Sequence, residues 1–241
     1  MRYFVTVGER TLEVDIEGSR VHVDGTQVQA NASMKSLRRH DDSEDPPPST
    51  GGGGRAGQEP QPAGSWSAHG VKLSNQTHRS ITDPDARLFR KGDQHSAQLR
   101  YLAHDLVDTK SRVILRRKVS LATGAAERDT ALQMLDEVLE KREVLGLPKQ
   151  PEILTADAGY GTGEFVADVL ERGIAPHIPL LSSEKPEPVP QYRRRTFDLD
   201  RERRRREKIR RAEACARVRA LHQTTGYQVS RKLRVRSEHL F

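Results

Sequence analysis

The first candidate for chemistry is the carboxylate at the end of Ile153-Leu154-Thr155-Ala156-Asp157-Ala158-Gly159-Tyr160-Gly161. The stretch reads as a short apolar strand running into Asp157, then a turn built on two glycines. Thr162 to Arg172 follows with helical periodicity, Phe165, Val166, Val169 and Leu170 recurring at three- and four-residue steps. Open α/β sheets place their chemistry where a strand delivers a residue at its carboxyl end, just before a helix. A capping Asp at an ordinary strand-to-helix turn would read the same way. Two further carboxylates stand out: Asp24 in Val21-His22-Val23-Asp24-Gly25-Thr26, and Glu238 in the basic segment Arg231 to Phe241. Each alone is a weak signal, since Asp before Gly is ordinary turn chemistry.

Charge is unevenly spread. Gln191 to Phe241 carries seventeen Lys and Arg against six Asp and Glu, a surplus of 11, so the net charge of +7 leaves the rest of the chain at −4. A mildly acidic body with a strongly basic end suits a polyanionic partner, most simply nucleic acid; a solvated charged helix has the same composition. Cys215 is the single cysteine, which excludes a disulfide framework and a cysteine metal site and fits a reducing cytoplasm. No apolar run reaches the length of a membrane span and no signal peptide is visible at Met1, so neither membrane nor secretion is expected.

The elements that must position these residues follow from periodicity. Met1 to Arg20 alternates around Gly8-Glu9-Arg10 as a β-hairpin, and Val21 to Val28 continues as strand with Asp24-Gly25 as a turn or bulge. Asp45 to Trp66, with Pro46-Pro47-Pro48 and Gly51 to Gly54, is low-complexity and offers nothing to bury. Order is expected to resume near Gln76, with a turn or cap at Thr82-Asp83-Pro84-Asp85. Gln98 to Leu106 and Val113 to Leu121 are strands around a loop at Asp108 to Ser111. Glu127-Arg128-Asp129 opens an amphipathic helix whose apolar face runs from Ala131 to Leu145, ended by Gly146 and Pro148. Ile174 to Leu181 is a last short strand, and Asp198 to Leu221 and Tyr227 to Phe241 are helices. His177 and His222 are expected as surface or cap residues, since neither has a second histidine at ligand spacing. The alternation of strands and helices predicts an α/β sheet with mixed strand directions.

Five blocks occur in an order that resembles the catalytic domain of bacterial insertion-sequence transposases of the DDE type. They are Val23-Asp24-Gly25-Thr26 with Ala32 to Ser36, Thr82 to Leu88 with Arg90-Lys91-Gly92, Ala122 to Asp129, Ala156 to Tyr160, and Gly226 to Phe241. The resemblance spans Val21 to Phe241 apart from the Gly/Pro insertion. It implies a ribonuclease-H-like mixed sheet flanked by helices, with a disordered Gly/Pro-rich insertion and a basic helical C-terminal region. Asp24 would lie on the first core strand, Asp157 at the end of the fourth, and Glu238 on a late helix folded back against the sheet. Together these would be catalytic and would hold Mg2+ or Mn2+, hard ions that suit oxygen ligands. Two such ions, about 3.5–4 Å apart, stabilise the attacking and leaving oxygens of a phosphodiester. Water would nick the strand at the element end, and the freed 3′-hydroxyl would attack target DNA. In the family a basic residue at the position of Arg234 faces the DNA phosphates; an i,i+4 ion pair with Glu238 is compatible with that role.

The resemblance makes double-stranded DNA, as element ends and target, the expected partner, bound by a homodimer in the cytoplasm at the nucleoid. Arg193, Arg194, Arg195, Arg203, Arg204, Arg231, Lys232 and Arg234 are the expected DNA contacts, supplying phosphate affinity and not base readout. The expected organisation is a hairpin extension over 1–20, the first part of the catalytic domain over 21–44, a linker over 45–75, the main body over 76–182, and the basic helical region over 183–241. The family's helical N-terminal domain and a basic residue two turns past Glu238 have no counterpart here, so a copy truncated at both ends is expected. Two alternatives stay open: a remnant that binds DNA without cutting it, and a biotinyl or lipoyl carrier-like protein, for which Met34-Lys35 would be the modification pair.

Overall fold

The computed structural model describes residues 2–7, 10–40, 65–68, 71–90, 96–145, 147–181, 184 and 199–238. In chain order these form β1 (Arg2–Val7), β2 (Arg10–Asp15), β3 (Arg20–Gln29), β4 (Leu37–Arg39), β5 (Ser65–Ala68), β6 (Val71–Ser74), β7 (His78–Ser80), β8 (Arg87–Phe89), β9 (Gln98–Asp108), β10 (Ile114–Leu121), α1 (Ala126–Glu140), β11 (Ile153–Thr155), α2 (Gly163–Glu171), β12 (Ala175–His177), α3 (Leu199–His222) and α4 (Thr225–Glu238). The principal sheet has the order β10-β9-β3-β11-β12, with β8 also paired to β9. β11 runs parallel to both β3 and β12, whereas β8 is antiparallel to β9, so the sheet is mixed. The architecture is mixed α/β and compatible with a ribonuclease-H-like fold.

The chain divides into two compact units. The first comprises Met1–Gly25, His104–Lys118 and Glu127–Phe241; the second comprises Thr26–Ala103 and Val119–Ala126. In the first unit, alternation along β3 buries Val21 and Val23 while His22 and Asp24 take the opposite face. That core continues through Leu106, Leu115, Leu154 and Ala156, and is closed by Ala131, Met134, Leu135 and Val138 of α1 and by Phe165 and Val169 of α2. The α1 residues recur at helical steps, and all four are buried. Glu127 and Asp129 in its first turn suit the positive end of the helix dipole.

The structure shortens two expected elements. α1 stops at Glu140, and 141–145 continue as turns while Leu145 still packs against the core. Lys141, Arg142 and Glu143 supply no apolar residue to extend the buried stripe. β12 covers only Ala175–His177 of the expected Ile174 to Leu181. β3, by contrast, runs straight through Asp24-Gly25, where a turn or bulge was expected, because it is paired in the middle of the sheet.

After β11, the chain passes through a short 3-10 turn (Ala158–Tyr160) into α2. Asp157 caps the turn, its Oδ1 accepting from Gly159 N at 2.8 Å, and Thr162 caps α2, its Oγ1 accepting from Phe165 N at 3.3 Å. Gly161 is required by close approach: a Cβ there would lie 1.9 Å from the Pro179 carbonyl oxygen, and Gly161 O accepts from Leu181 N at 2.9 Å. α2 and α3 share a second cluster of Val166, Ala167, Ala214, Cys215 and Val218. Arg210 reinforces it from α3, binding Glu171 Oε1 at 2.5 Å and also pairing with Asp168 and Glu207.

α4 packs on α3, β11 and β12. His177, expected near the surface, is buried, and its Nδ1 lies 2.6 Å from Ser230 Oγ of α4. His222 Nε2 lies 2.9 Å from Ile178 O, and the Tyr227 ring stacks on it with centroids 4.3 Å apart. These histidines thus anchor the last helix, a role that helical periodicity could not reveal.

The second unit has its own core of Ala30, Leu37, Leu73, Ala86, Leu88 and Leu99. β4 pairs with β7 and β5 with β6, so strand structure appears within the 45–75 stretch expected as linker and before Gln76. The expected turn at Asp83 is present: Ala86 N donates to Asp83 O at 3.2 Å, and Tyr101 OH donates to Asp83 Oδ1 at 2.6 Å. Met34 and Lys35 sit in a 3-10 turn capped by Ser33, not at a hairpin tip.

Two measurements check this packing. Gly161→Ala should destabilise the chain by about 3 kcal/mol in urea unfolding, the cost of forcing a methyl into filled space. Burial, with Arg20 and His222 adding like charge, holds the His177 imidazole down at about 4. The unfolded chain therefore binds that proton first, near 6.5, so His177 favours folding fully above that pH and loses this contribution as pH falls toward 4. The urea midpoint should be lower at pH 5 than at pH 7, with the His177 ring protons titrating near 4 by NMR. Titration near 6.5 would contradict the buried placement.

Candidate active site

The site starts from one parallel seam. Arg20, Val21 and His22 of β3 stand in register with Ile153, Leu154 and Thr155 of β11. β11 ends at Thr155, opposite His22; Asp157 follows Thr155 by two residues, as Asp24 follows His22 on β3. Side chains stitch the seam from within. Thr155 Oγ1 donates to Val21 O at 3.1 Å, and His22 Nδ1 lies 3.1 Å from both Thr155 O and Thr155 Oγ1. Burial, opposed by the Thr155 hydrogen bond and reinforced by Arg234, pushes the His22 imidazole down to about 4. Asp24 is half-buried, and its Oδ1 accepts from Gly25 N at 2.8 Å. Asp157 is exposed.

A third carboxylate joins these two. Glu127, in the first turn of α1, has its pKa raised by burial, then by the charges of Asp157 and Asp24, against the opposing pull of Arg128. Arg128 Nη1 in turn donates to Gly159 O at 3.4 Å, tying the start of α1 to the turn after Asp157. Gly25 leaves room for this convergence. A Cβ there would lie 3.4 Å from His104 Nδ1, 3.5 Å from Glu127 Oε1 and 3.5 Å from Tyr160 OH. Tyr160 is buried, its ring tilted against Phe165 at 5.5 Å, and its hydroxyl is held protonated by burial and by the charges of Glu127, Asp24 and Asp157. Sequence reasoning assigned Glu127 only to a helix start and Tyr160 only to a turn. Their membership of two blocks of the family resemblance was the one available signal.

α4 brings the basic residues to the same region. Arg234 Nη1 donates to Ala156 O at 3.1 Å, one residue before Asp157. Glu238 is the last residue of α4, and its side chain lies outside the described residues. Arg231 and Lys232 are exposed. Arg231 and Arg234 line a groove of about 560 Å³ with His177, His222, Tyr227 and Arg219. On α3, Arg203 and Arg204 are exposed, Arg203 standing 4.0 Å from Asp200. Arg193, Arg194 and Arg195 lie outside the described residues.

The donor set can be tested against a divalent ion. Among the described residues, no group of three or more His, Cys, Asp or Glu already stands in ligand geometry. The donors are of the right chemical kind: Asp24, Glu127 and Asp157 offer only hard oxygens, and the Glu127 pKa is raised by burial and then by repulsion from Asp157 and Asp24. A cation would relieve that repulsion. Among the described residues, no helix is long and apolar enough to cross a membrane.

A family model described as Transposase DDE domain matches residues 68–241. The matched span holds Glu127, Asp157 and Glu238 and begins after Asp24. No curated protein matches the chain. Domains of this family act on DNA and generally use divalent metal ions. A match over well over half of the residues, on a mixed α/β sheet, places this chain in the transposase DDE domain family.

Proposed function

We propose that this chain is the catalytic domain of an insertion-sequence DDE transposase, which cuts and joins DNA strands through Asp24, Asp157 and Glu238. The observation that carries the proposal is the β3–β11 register, in which the strand that carries Asp24 runs parallel and next to the strand that leads into Asp157. The strand order β10-β9-β3-β11-β12, with Asp24 on the central strand, supports a ribonuclease-H-like reading. In it, Asp24 and Asp157 hold divalent ions, Mg2+ or Mn2+, and Glu238 at the end of α4 completes the set. The ions supply charge stabilisation for the attacking and leaving oxygens of the phosphodiester.

The chain's own residues do the rest. Arg234, held on Ala156 O, carries positive charge to the end of β11, where a phosphate would sit. Arg203 and Arg204 on α3 and Arg231 and Lys232 on α4 are exposed and offer phosphate contacts, as would Arg193, Arg194 and Arg195. The partner is double-stranded DNA, as element ends and target, bound by a homodimer at the nucleoid in the cytoplasm.

The decisive assay is nicking of supercoiled and element-end DNA with Mn2+, comparing the chain with Asp157→Ala. Nicking by the chain and none by the variant is expected. No nicking by either, with salt-sensitive DNA binding intact, would make the chain a DNA-binding remnant. Arg203→Ala/Arg204→Ala should lower the slope of log affinity against log salt by about 2, since each arginine removed leaves one phosphate with its counterion.

A further inference from the structure

Several arginines of α3 are countered within the chain: Arg205 and Arg206 each stand 3.3 Å from Glu202, and Arg210 pairs with Glu207 at 3.1 Å. A smaller basic face in the second unit is not countered in this way. β4 and β7 pair antiparallel, with Leu37 opposite Ser80, Arg38 opposite Arg79 and Arg39 opposite His78. Side chains alternate across a strand, so Leu37, Ser80 and His78 take the inner face and are buried, while Arg38 and Arg79 share the outer face and are exposed. Directly opposed side chains have Cβ atoms about 4.5–5.5 Å apart, and like charges at that spacing weaken the pairing. Lys35 adds a third exposed cation, kept close because Arg38 Nη1 donates to Lys35 O at 3.0 Å and to Leu37 O at 2.7 Å. Ser36 Oγ lies 2.7 Å from Ser80 Oγ and fastens that turn to β7. Contacts to neutral carbonyls leave the guanidinium charge in place. Among the described residues, none of Lys35, Arg38 and Arg79 forms an ion pair with a carboxylate.

We propose that this outer face of β4 and β7 is a second phosphate-binding surface for duplex DNA, with Arg38 and Arg79 bracketing the backbone and Lys35 beside them. The inference rests on the reading of duplex DNA as the partner and adds a contact surface outside α3 and α4. A phosphate between the two guanidiniums replaces repulsion with charge-assisted hydrogen bonds, and the arginine fork matches its oxygens. Phosphate contacts carry no sequence information, so the face holds any duplex equally. Net charge hid it, since the chain before Gln191 is acidic as a whole.

The test measures affinity of the full chain for element-end and unrelated duplexes across a salt series, alongside thermal unfolding without DNA. Arg38→Ala/Arg79→Ala should lower the slope of log affinity against log salt by about 2 on both duplexes. Arg38→Glu turns the opposed pair into an ion pair with Arg79. It should raise the melting temperature by about 1–3 °C while weakening binding to both duplexes. A wild-type slope in Arg38→Ala/Arg79→Ala, with the slope lowered in Arg203→Ala/Arg204→Ala, would overturn this inference alone, and is the result expected if the face serves an acidic protein instead. A lower melting temperature in either variant would show that Arg38 and Arg79 do not repel, and would overturn it too. No salt-sensitive DNA binding by the unaltered chain would overturn the DNA reading and this inference with it.

Discussion

The parallel pairing of β3 with β11 is the constraint on which the site depends. Parallel neighbours cannot be joined by a tight turn, so residues far apart in sequence must meet through the sheet. Val21 and Val23 bury one face of β3 in the core, which leaves His22 and Asp24 on the other. Thr155 then locks the register by bonding both Val21 O and the His22 ring. A slip of one residue would turn Asp24 into the core and break every one of these hydrogen bonds.

Electrostatics works against this arrangement and is balanced from outside the carboxylates. Glu127 is pushed up by burial and then by Asp157 and Asp24, Arg128 opposes the push, and Arg234 brings positive charge to Ala156 O beside Asp157. The basic C-terminal region is not uniform in this respect. Arg210 is used internally to bind α3 to α2, and Arg219 donates to Glu184 O at 2.6 Å. Arg203 and Arg204, further toward the start of α3, are exposed. Charge density in the sequence therefore overstates the charge available to a polyanion.

The last helix shows how buried polar contacts fix what an apolar stripe leaves loose. α4 is basic and only weakly amphipathic, yet Ser230 bonds buried His177 and Tyr227 stacks on His222. These contacts hold the segment leading to Glu238 against β11 and β12. A neutral His177 is favoured there, since burial, and then the charges of Arg20 and His222, oppose its protonation.

Much of the first unit was legible from local pattern. The strand into Asp157, the helix after it, the apolar face of α1 and the long basic helix each follow from periodicity that acts within a few residues. The ordered blocks carrying Asp24, Asp157 and Glu238 likewise pointed to the family from residue types and order alone. Tertiary structure decided the rest. Asp24-Gly25 reads as a turn in isolation and is strand because β3 runs on through it in the middle of the sheet. His177 reads as a surface residue until Ser230 meets it. Glu127 reads as a helix start and Tyr160 as turn punctuation until α1 and the turn after β11 bring them beside Gly25. The physical reason is the same in each case: sequence pattern reports which face a residue takes within its own element, while the convergence of elements distant in sequence depends on how their cores pack.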